Sequence, residues 1–366
     1  MTEHAVPLVA PHAGRPYLRY SNQARAQWLI PVQRHARRCA AQMYTPIRLG
    51  GHVRKQLMRR GLAGESVWVS EAWLEQLAEV LEPFVESEHV HLVLFIASPG
   101  ALSKTAILVA NDSGEAVAFA KLATSEHASQ ALRTEHAWLR RLYDVPVLRP
   151  SVPHPLGLMR AHNATVLVTS VAPVRPGSAR FGAPHLHLLG DIAQSFGGTE
   201  VYEATAEYQR LLHMSVSLDG CSDARTWRDR LERAAVRLSS DLGGRRHSIG
   251  LAHGDFTPWN TRRSRDGLFV FDWESATPNS LPNHDFFHFH FMSELLLRNG
   301  ASPRTISTWL RTAPYQNDST CAYLLAYLVD VSLRYHDLHR VEGRRDDDAV
   351  LRQAGVLLDA AERWCD

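Results

Sequence analysis

The sequence predicts an α+β chain of two lobes: a small antiparallel β lobe, a larger and mainly helical lobe, and an extra segment ahead of both. Three observations lead there. Short apolar runs separated by tight turns crowd into the stretch from His89 to Ala123. Helical spacing dominates after Gly177. Between the late helical segments, LAHGDFTPWNTRRSRDGLFVFDWE (Leu251–Glu274) gathers two carboxylates and an amide around a polar turn and a buried strand.

The chain's 366 residues suffice for two domains. Hydrophobic residues make up 45% and charged residues 21%, an ordinary globular balance. A formal net charge of +2 gives no ground for a nucleic-acid partner. No apolar run approaches the ~20 residues of a membrane span. MTEHAVPLVAPHAGRPY lacks a charged region followed by an apolar one, so a cytoplasmic location is expected. Cys39, Cys221, Cys321 and Cys365 lie too far apart for a zinc knuckle or a disulfide framework, which suggests reduced thiols. Lysine occurs only at Lys55, Lys104 and Lys121. Lys55 and Lys104 read as ordinary surface cations, whereas Lys121 falls inside an apolar strand.

Residues 1–85 read as an irregular and helical extension. Within it SEAWLEQLAEVLEPF (Ser70–Phe84) has a Ser cap, apolar residues at helical spacing and Pro83 at its end. Residues 86–172 form the small lobe. HVHLVLFIAS is a strand, Pro99–Ala101 a turn, TAILVAND a second strand and EAVAFAKLA a third. A helix over roughly Glu126–Tyr143 follows, then a strand at Thr165–Pro173. The junction lies near Val171–Gly177, and residues 173–366 form the helical lobe, closed by RTISTWLRTA and CAYLLAYLVDVSLRYHDLH. A cleft between the lobes is the expected ligand site. The acidic run Asp346–Asp348 reads as solvated surface.

On the helix after the third strand, Ala128, Ala131, Leu132, Trp138, Leu139 and Leu142 make an apolar stripe with Glu135 in its middle. A carboxylate there costs several kcal/mol unless a cation meets it. Lys121 is the candidate cation. The plainer alternative seats Glu135 at the rim with Arg133 or Arg141. Strand parity groups Lys121 with Val117 and Phe119, opposite Ala118, Ala120 and Leu122. Apolar neighbours on both faces imply a buried lysine stem; the alternative is an edge strand with the amine in water.

Asp255 sits in a turn with Gly254 and Pro258, Asn260 lies five residues on, and Asp272 ends the strand after RRSRDG. An amide oxygen and a carboxylate suit one hard cation such as Mg2+, which takes few protein ligands. Asp255 is then left to orient or deprotonate a hydroxyl.

HGDFTPWN followed by VFDWE resembles the catalytic and metal-binding segments of the aminoglycoside phosphotransferase and choline kinase family, small-molecule relatives of the protein kinases. With Lys121 and Glu135 upstream, the resemblance runs from about Val90 to the C-terminus. It implies a two-lobed protein-kinase-like fold and transfer of the γ-phosphate of ATP, or GTP, to a small hydroxylated substrate. It implies Asp255 as the catalytic group for the hydroxyl proton, and Asn260 and Asp272 as Mg2+ ligands. Lys121, oriented by Glu135, would meet the nucleotide phosphates. The loop Ser98–Ser103, with Ser98 and Gly100, would cover them, and the strand end at Thr169–Val171 would meet the base. His253 would brace the catalytic loop, and Asp285 would hydrogen-bond it from behind.

The chain departs from protein kinases in three places. Gly254 stands where they carry Arg, which favours a small substrate over a protein. The phosphate loop holds only Gly100, and Phe119 replaces a small residue by the adenine, leaving ATP or GTP open. Competing readings concern other residues. The extension's Arg34, Arg37, Arg38, Arg54, Arg59 and Arg60 either meet an anionic partner or line a solvated helix face. His284, Asp285, His288 and His290 could form a hydrolytic metal site, although their aromatic surroundings favour core histidines. A degenerate, nucleotide-binding scaffold is the alternative function. For the acceptor, Glu294, Asp330, Asp337 and Glu342 would suit a cationic aminoglycoside, while Arg298, Arg334 and Arg340 would suit an anionic or neutral sugar. The sequence leaves oligomeric state open.

Overall fold

The computed structural model describes residues 6–21, 26–44, 46, 49–87, 89–98, 100–161, 163–298, 300–342 and 348–364. In chain order come strands β1 (Leu8–Val9), β2 (Arg15–Ser21) and β3 (Gln27–Pro31), helices α1 (Arg34–Met43) and α2 (Leu49–Arg60), strand β4 (Glu65–Val69) and helix α3 (Glu71–Leu81). Next are β5 (His91–Ile96), β6 (Thr105–Ala110), β7 (Ala116–Ala123), α4 (Glu126–Tyr143), β8 (Pro155–Ala161), β9 (Ala164–Thr169) and β10 (Arg175–Pro176). Then follow α5 (Ala183–Phe196), β11 (Gly198–Val201), α6 (Ala206–Leu212), α7 (Met214–Ser217), α8 (Ala224–Leu242) and β12 (Arg246–Ala252). The last elements are β13 (Thr261–Arg263), β14 (Leu268–Val270), β15 (Thr277–Ser280), α9 (His284–Leu297), α10 (Pro303–Thr312), α11 (Thr320–Glu342) and α12 (Ala349–Trp364).

The chain divides into two compact units, one of residues 1–177 with 261–274, the other of 178–260 with 275–366. The division corrects the expected boundaries. The first 85 residues are not a separate irregular and helical extension. They supply β1–β4, and one antiparallel sheet of nine strands runs β1-β4-β2-β3-β5-β6-β7-β9-β8. Arg19 stands opposite Glu65 in the β2–β4 register and bonds it at 2.6 Å.

Both faces of this sheet are covered by helices. On one, Leu74, Leu77 and Leu81 of α3 pack on Leu94, Ile107 and Val168; Ser70 caps that helix by accepting from the Trp73 amide, as its sequence predicts. On the other, Cys39 and Ala40 of α1 pack with Trp28, Ile30 and Leu108, and Ala128 and Leu132 of α4 pack with Ala123 and Leu167. Helix α4 spans the predicted residues, with Ser125 as its cap. The parity expected for β7 holds for Phe119, Ala118, Ala120 and Leu122, and a register shift at Val109/Ala110 moves Val117 alone to the other face. Val117 packs with Ala118 and Ala120, while Phe119 packs on the opposite cluster. The β13–β14 hairpin carries the predicted strand before Asp272 and pairs with β10 in a second sheet of this unit.

The other unit is mainly helical, with the small sheet β11-β12-β15 that the sequence reading did not anticipate. Leu231 and Leu238 of α8, Phe287 and Phe291 of α9, Leu324 and Leu328 of α11, and Leu357 and Leu358 of α12 build one core. Helix α11 is buried without a break from Ala322 to Leu333, so it shows no amphipathic period. Among the described residues, no helix is long and apolar enough to cross a membrane. Cys39 and Cys221 are free, but Cys321 is disulfide-bonded, which corrects the expectation that all thiols are reduced. Pro99, Cys365, Asp346 and Asp347 lie outside the described residues.

Candidate active site

The nine-stranded unit encloses a cavity of about 350 Å3. Trp28, Phe95, Leu108, Phe119 and Phe271 give it apolar walls suited to a flat ring. Five of the residues assigned to nucleotide and metal from the sequence line it: Lys121, Glu135, Thr169, Val171 and Asp272. Ser98 and Gly100 do not line it; their flanking neighbours Ala97 and Lys104 do. The reason is local. Ala97 N–H donates to Lys104 O, and Ser103 N–H to Gly100 O, so the loop is a tight hairpin end that offers the cavity its base rather than its tip.

Lys121 is paired across β7 with Leu167 and Ala106, so its side chain rises from the centre of the sheet. It is 9% exposed and Glu135 2%. Its Nζ lies 2.7 Å from both Glu135 oxygens and also donates to Asp272 Oδ1. The rim alternatives fall away. Arg133 bonds Gln130 and Glu126, and Arg141 lies over the Trp138 ring. Burial alone would lower the Lys121 pKa, but Asp272, Glu135 and Glu274 outweigh it and raise it. Burial raises the Glu135 pKa, and Lys121 opposes the rise. With both oxygens bonded to one ammonium, the group is a buried ion pair. Asp272 has φ of 68°, a left-handed backbone that a non-glycine residue holds at a cost of about 1–3 kcal/mol.

Two cations of this wall escaped the sequence reading. Lys104, taken as a surface residue, lines the cavity and pairs with Glu274. Arg262 is buried, with its guanidinium 4.7 Å over the Phe271 ring, and burial lowers its pKa to about 10. Arg262 lies in the same stretch as the DWE element, whereas Lys104 is 170 residues from Glu274 along the chain and carried no local signal.

In the helical unit the turn after β12 presents Asp255. Asn260 Nδ2 donates to Asp255 Oδ2 at 2.8 Å and to its backbone carbonyl at 3.0 Å. The Asp255 N–H donates to His253 Nδ1, and the His253 and Gly254 N–H groups donate to Asp285 at 2.7 and 3.0 Å. His253 therefore braces the loop and Asp285 holds it from behind. Burial would raise the Asp285 pKa, yet the neighbouring His284 and the bonds from the loop lower it. Gly254 has φ of 79°, and a Cβ there would lie 2.3 Å from Ser275 O, so no arginine could occupy the position.

His288, read as a core or metal-site histidine, meets Asp255 Oδ1 through Nε2 at 3.2 Å, and its Nδ1 meets the Tyr327 hydroxyl at 3.2 Å. Burial lowers the His288 pKa and raises that of Tyr327, so a neutral ring faces a protonated phenol. Tyr327 then donates to Nδ1, and the ring proton sits on Nε2 and points at the carboxylate. The rest of the proposed zinc set disperses: His284 bonds Asp330, and His290 lies among Phe181, Phe286 and Trp309.

The model of the phosphotransferase enzyme family matches residues 97–294. The chain belongs to that family. No curated protein matches this phosphotransferase. Among solved structures, a thermostable mutant of aminoglycoside phosphotransferase APH(4)-Ia is 14% identical, with a TM-score of 0.54 over 79% of this chain and 98% of that one. Choline kinase LicA from Streptococcus pneumoniae is 14% identical, with a TM-score of 0.51 over 80% and 100%. A choline kinase from Cryptosporidium parvum Iowa II is 9% identical, with a TM-score of 0.51 over 79% and 94%. The phosphotransferase shares the protein-kinase-like fold of these neighbours and is, by family, a small-molecule kinase.

Proposed function

We propose that the protein is a Mg2+-dependent phosphotransferase that moves the γ-phosphate of ATP, or GTP, to a hydroxyl of a small molecule such as an aminoglycoside, a sugar or a related metabolite. The observation that carries this reading is the buried Lys121–Glu135 pair, bonded to Asp272 in the wall of an apolar, ring-sized cavity. A structural neighbour of the same fold was solved with ADP and hygromycin B bound.

In this mechanism Lys121 donates to phosphate oxygens while Glu135 fixes its position. Asp255 accepts the proton of the attacking hydroxyl. Its two carboxylate oxygens are already held by Asn260 and His288, so little reorientation is left to the reaction. The donor chemistry suits magnesium. Asn260 spends its NH2 on Asp255, which leaves Oδ1 for a hard cation, and Asp272 supplies a carboxylate. The ion would neutralise charge on the phosphates.

The test is ADP release over a panel of hydroxylated acceptors. Asp255→Asn is expected to fold normally and to lose ~10²–10⁴ in kcat. Full turnover by that variant refutes the assignment. An inert scaffold, the competing reading, is refuted by slow acceptor-free nucleotide hydrolysis that Asp272→Ala abolishes.

A further inference from the structure

Arg334 of α11 is 19% exposed at its side chain, and its Nη1 lies 3.1 Å from where a Cβ on Gly254 would stand, one residue before Asp255. Its nearest carboxylate is Asp330, at 3.8 Å, beyond hydrogen-bond reach. That carboxylate is already taken by Arg210 Nε at 2.6 Å and His284 Nε2 at 3.1 Å. Among the described residues, Arg334 makes no hydrogen bond. A guanidinium carries five donors in a planar fork that matches carboxylate and phosphate. Leaving such a group mostly out of water without a hydrogen bond is unfavourable, so its position suits a ligand that brings the acceptor oxygens.

The acids of this unit point the same way. A polycationic acceptor needs free carboxylates. Glu294 is bonded to Arg298 at 2.5 Å, Asp337 faces Arg340 at 3.5 Å, and Asp330 is held as described. These acids and arginines could each have recognised an acceptor, but the structure pairs most of them with one another and leaves Arg334 unbonded beside the loop.

We propose that Arg334 binds an anionic oxygen group at Asp255. The group is the acceptor's own carboxylate or phosphate, close to the hydroxyl that is phosphorylated, or it is the phosphoryl group in transfer. The assignment rests on the phosphotransfer reading for its catalytic meaning, while anion binding is measurable without it.

One arm measures ADP release by wild type, Arg334→Gln and Arg334→Lys with hydroxy acids, neutral polyols and aminoglycosides as acceptors. If the anion belongs to the acceptor, hydroxy acids are preferred. Arg334→Gln then raises their KM about tenfold or more with kcat nearly unchanged, and Arg334→Lys restores part of the loss. If the anion is the transferring phosphoryl group, Arg334→Gln lowers kcat and acceptor-free hydrolysis by one factor at constant KM. Preference for aminoglycosides with kcat unchanged in Arg334→Gln, or equal kinetics in wild type and Arg334→Gln, overturns the proposal. The second arm titrates inorganic phosphate against thermal stability. Phosphate is expected to stabilise wild type more than Arg334→Gln, and equal shifts count against the site. Should no acceptor be turned over and no nucleotide hydrolysed, the phosphotransfer reading fails and the phosphate titration alone decides Arg334.

Discussion

Asp255 is useful as a base only if its carboxylate faces the hydroxyl, and His288 helps to set that direction. Tyr327 fixes the ring's proton on Nε2, and the ring then holds Oδ1 while Asn260 holds Oδ2. His288→Leu is expected to lower kcat by about 10–100-fold with the acceptor KM changed by less than about threefold. His288→Gln, which keeps a donor near the same place, should recover part of the loss. Equal damage in both variants, or damage to KM alone, would assign His288 to packing. At this scale the sequence was legible for groups whose chemistry is local. Asp255 and Asn260 lie five residues apart and do meet. His288 was illegible because its meaning depends on a contact 33 residues away, and on an aromatic helix most histidines are core.

Among the elements, β7 and α4 were read most fully. The helix has a Ser cap, an apolar stripe and one acid out of place, and that acid lies on the lysine of the preceding strand. Glu135→Gln keeps the shape but removes the charge that orients Lys121. Nucleotide KM is expected to rise about tenfold or more, since a buried cation loses its partner. An unchanged KM would show that Asp272 alone suffices. The register shift in β7 was not legible, because a bulge leaves no mark in a run of Ala and Val.

Helix α9 supplies a pH dependence. Burial would lower the His284 pKa, but the nearby Asp285 carboxylate and the bond to Asp330 push it up to about 9. A raised pKa means that the folded state binds the proton more tightly than the unfolded chain, whose histidine titrates near ~6.5. The stabilisation is therefore complete below about pH 6.5 and is lost as pH rises through about 9. Urea denaturation of wild type should show stability falling across that window. His284→Gln should show a flatter profile; equal slopes would place the titrating group elsewhere.

For the whole molecule, the larger surprise lies at the N-terminus. Its strands were missed because their apolar period is short and broken by Arg15, Pro16 and Arg19, and because pairing with β4 reaches about fifty residues along the chain. The helical lobe and the turn that joins Asp255 to Asn260 were legible because helical period and turn chemistry are written locally. Trp28 joins the two ends of that contrast. It belongs to β3, in the segment expected to stand apart, yet it lines the cavity with Phe95 and Phe119. Trp28→Ala should weaken nucleotide binding by about tenfold or more in equilibrium titrations, through lost apolar contact. Unaltered affinity would mean that the ring does not reach the bound base.

The same indole has a practical consequence. An aromatic chromophore built into the cavity wall is an internal optical sensor: quenching present in wild type and missing from Trp28→Phe would report cavity occupancy directly, before any product is known.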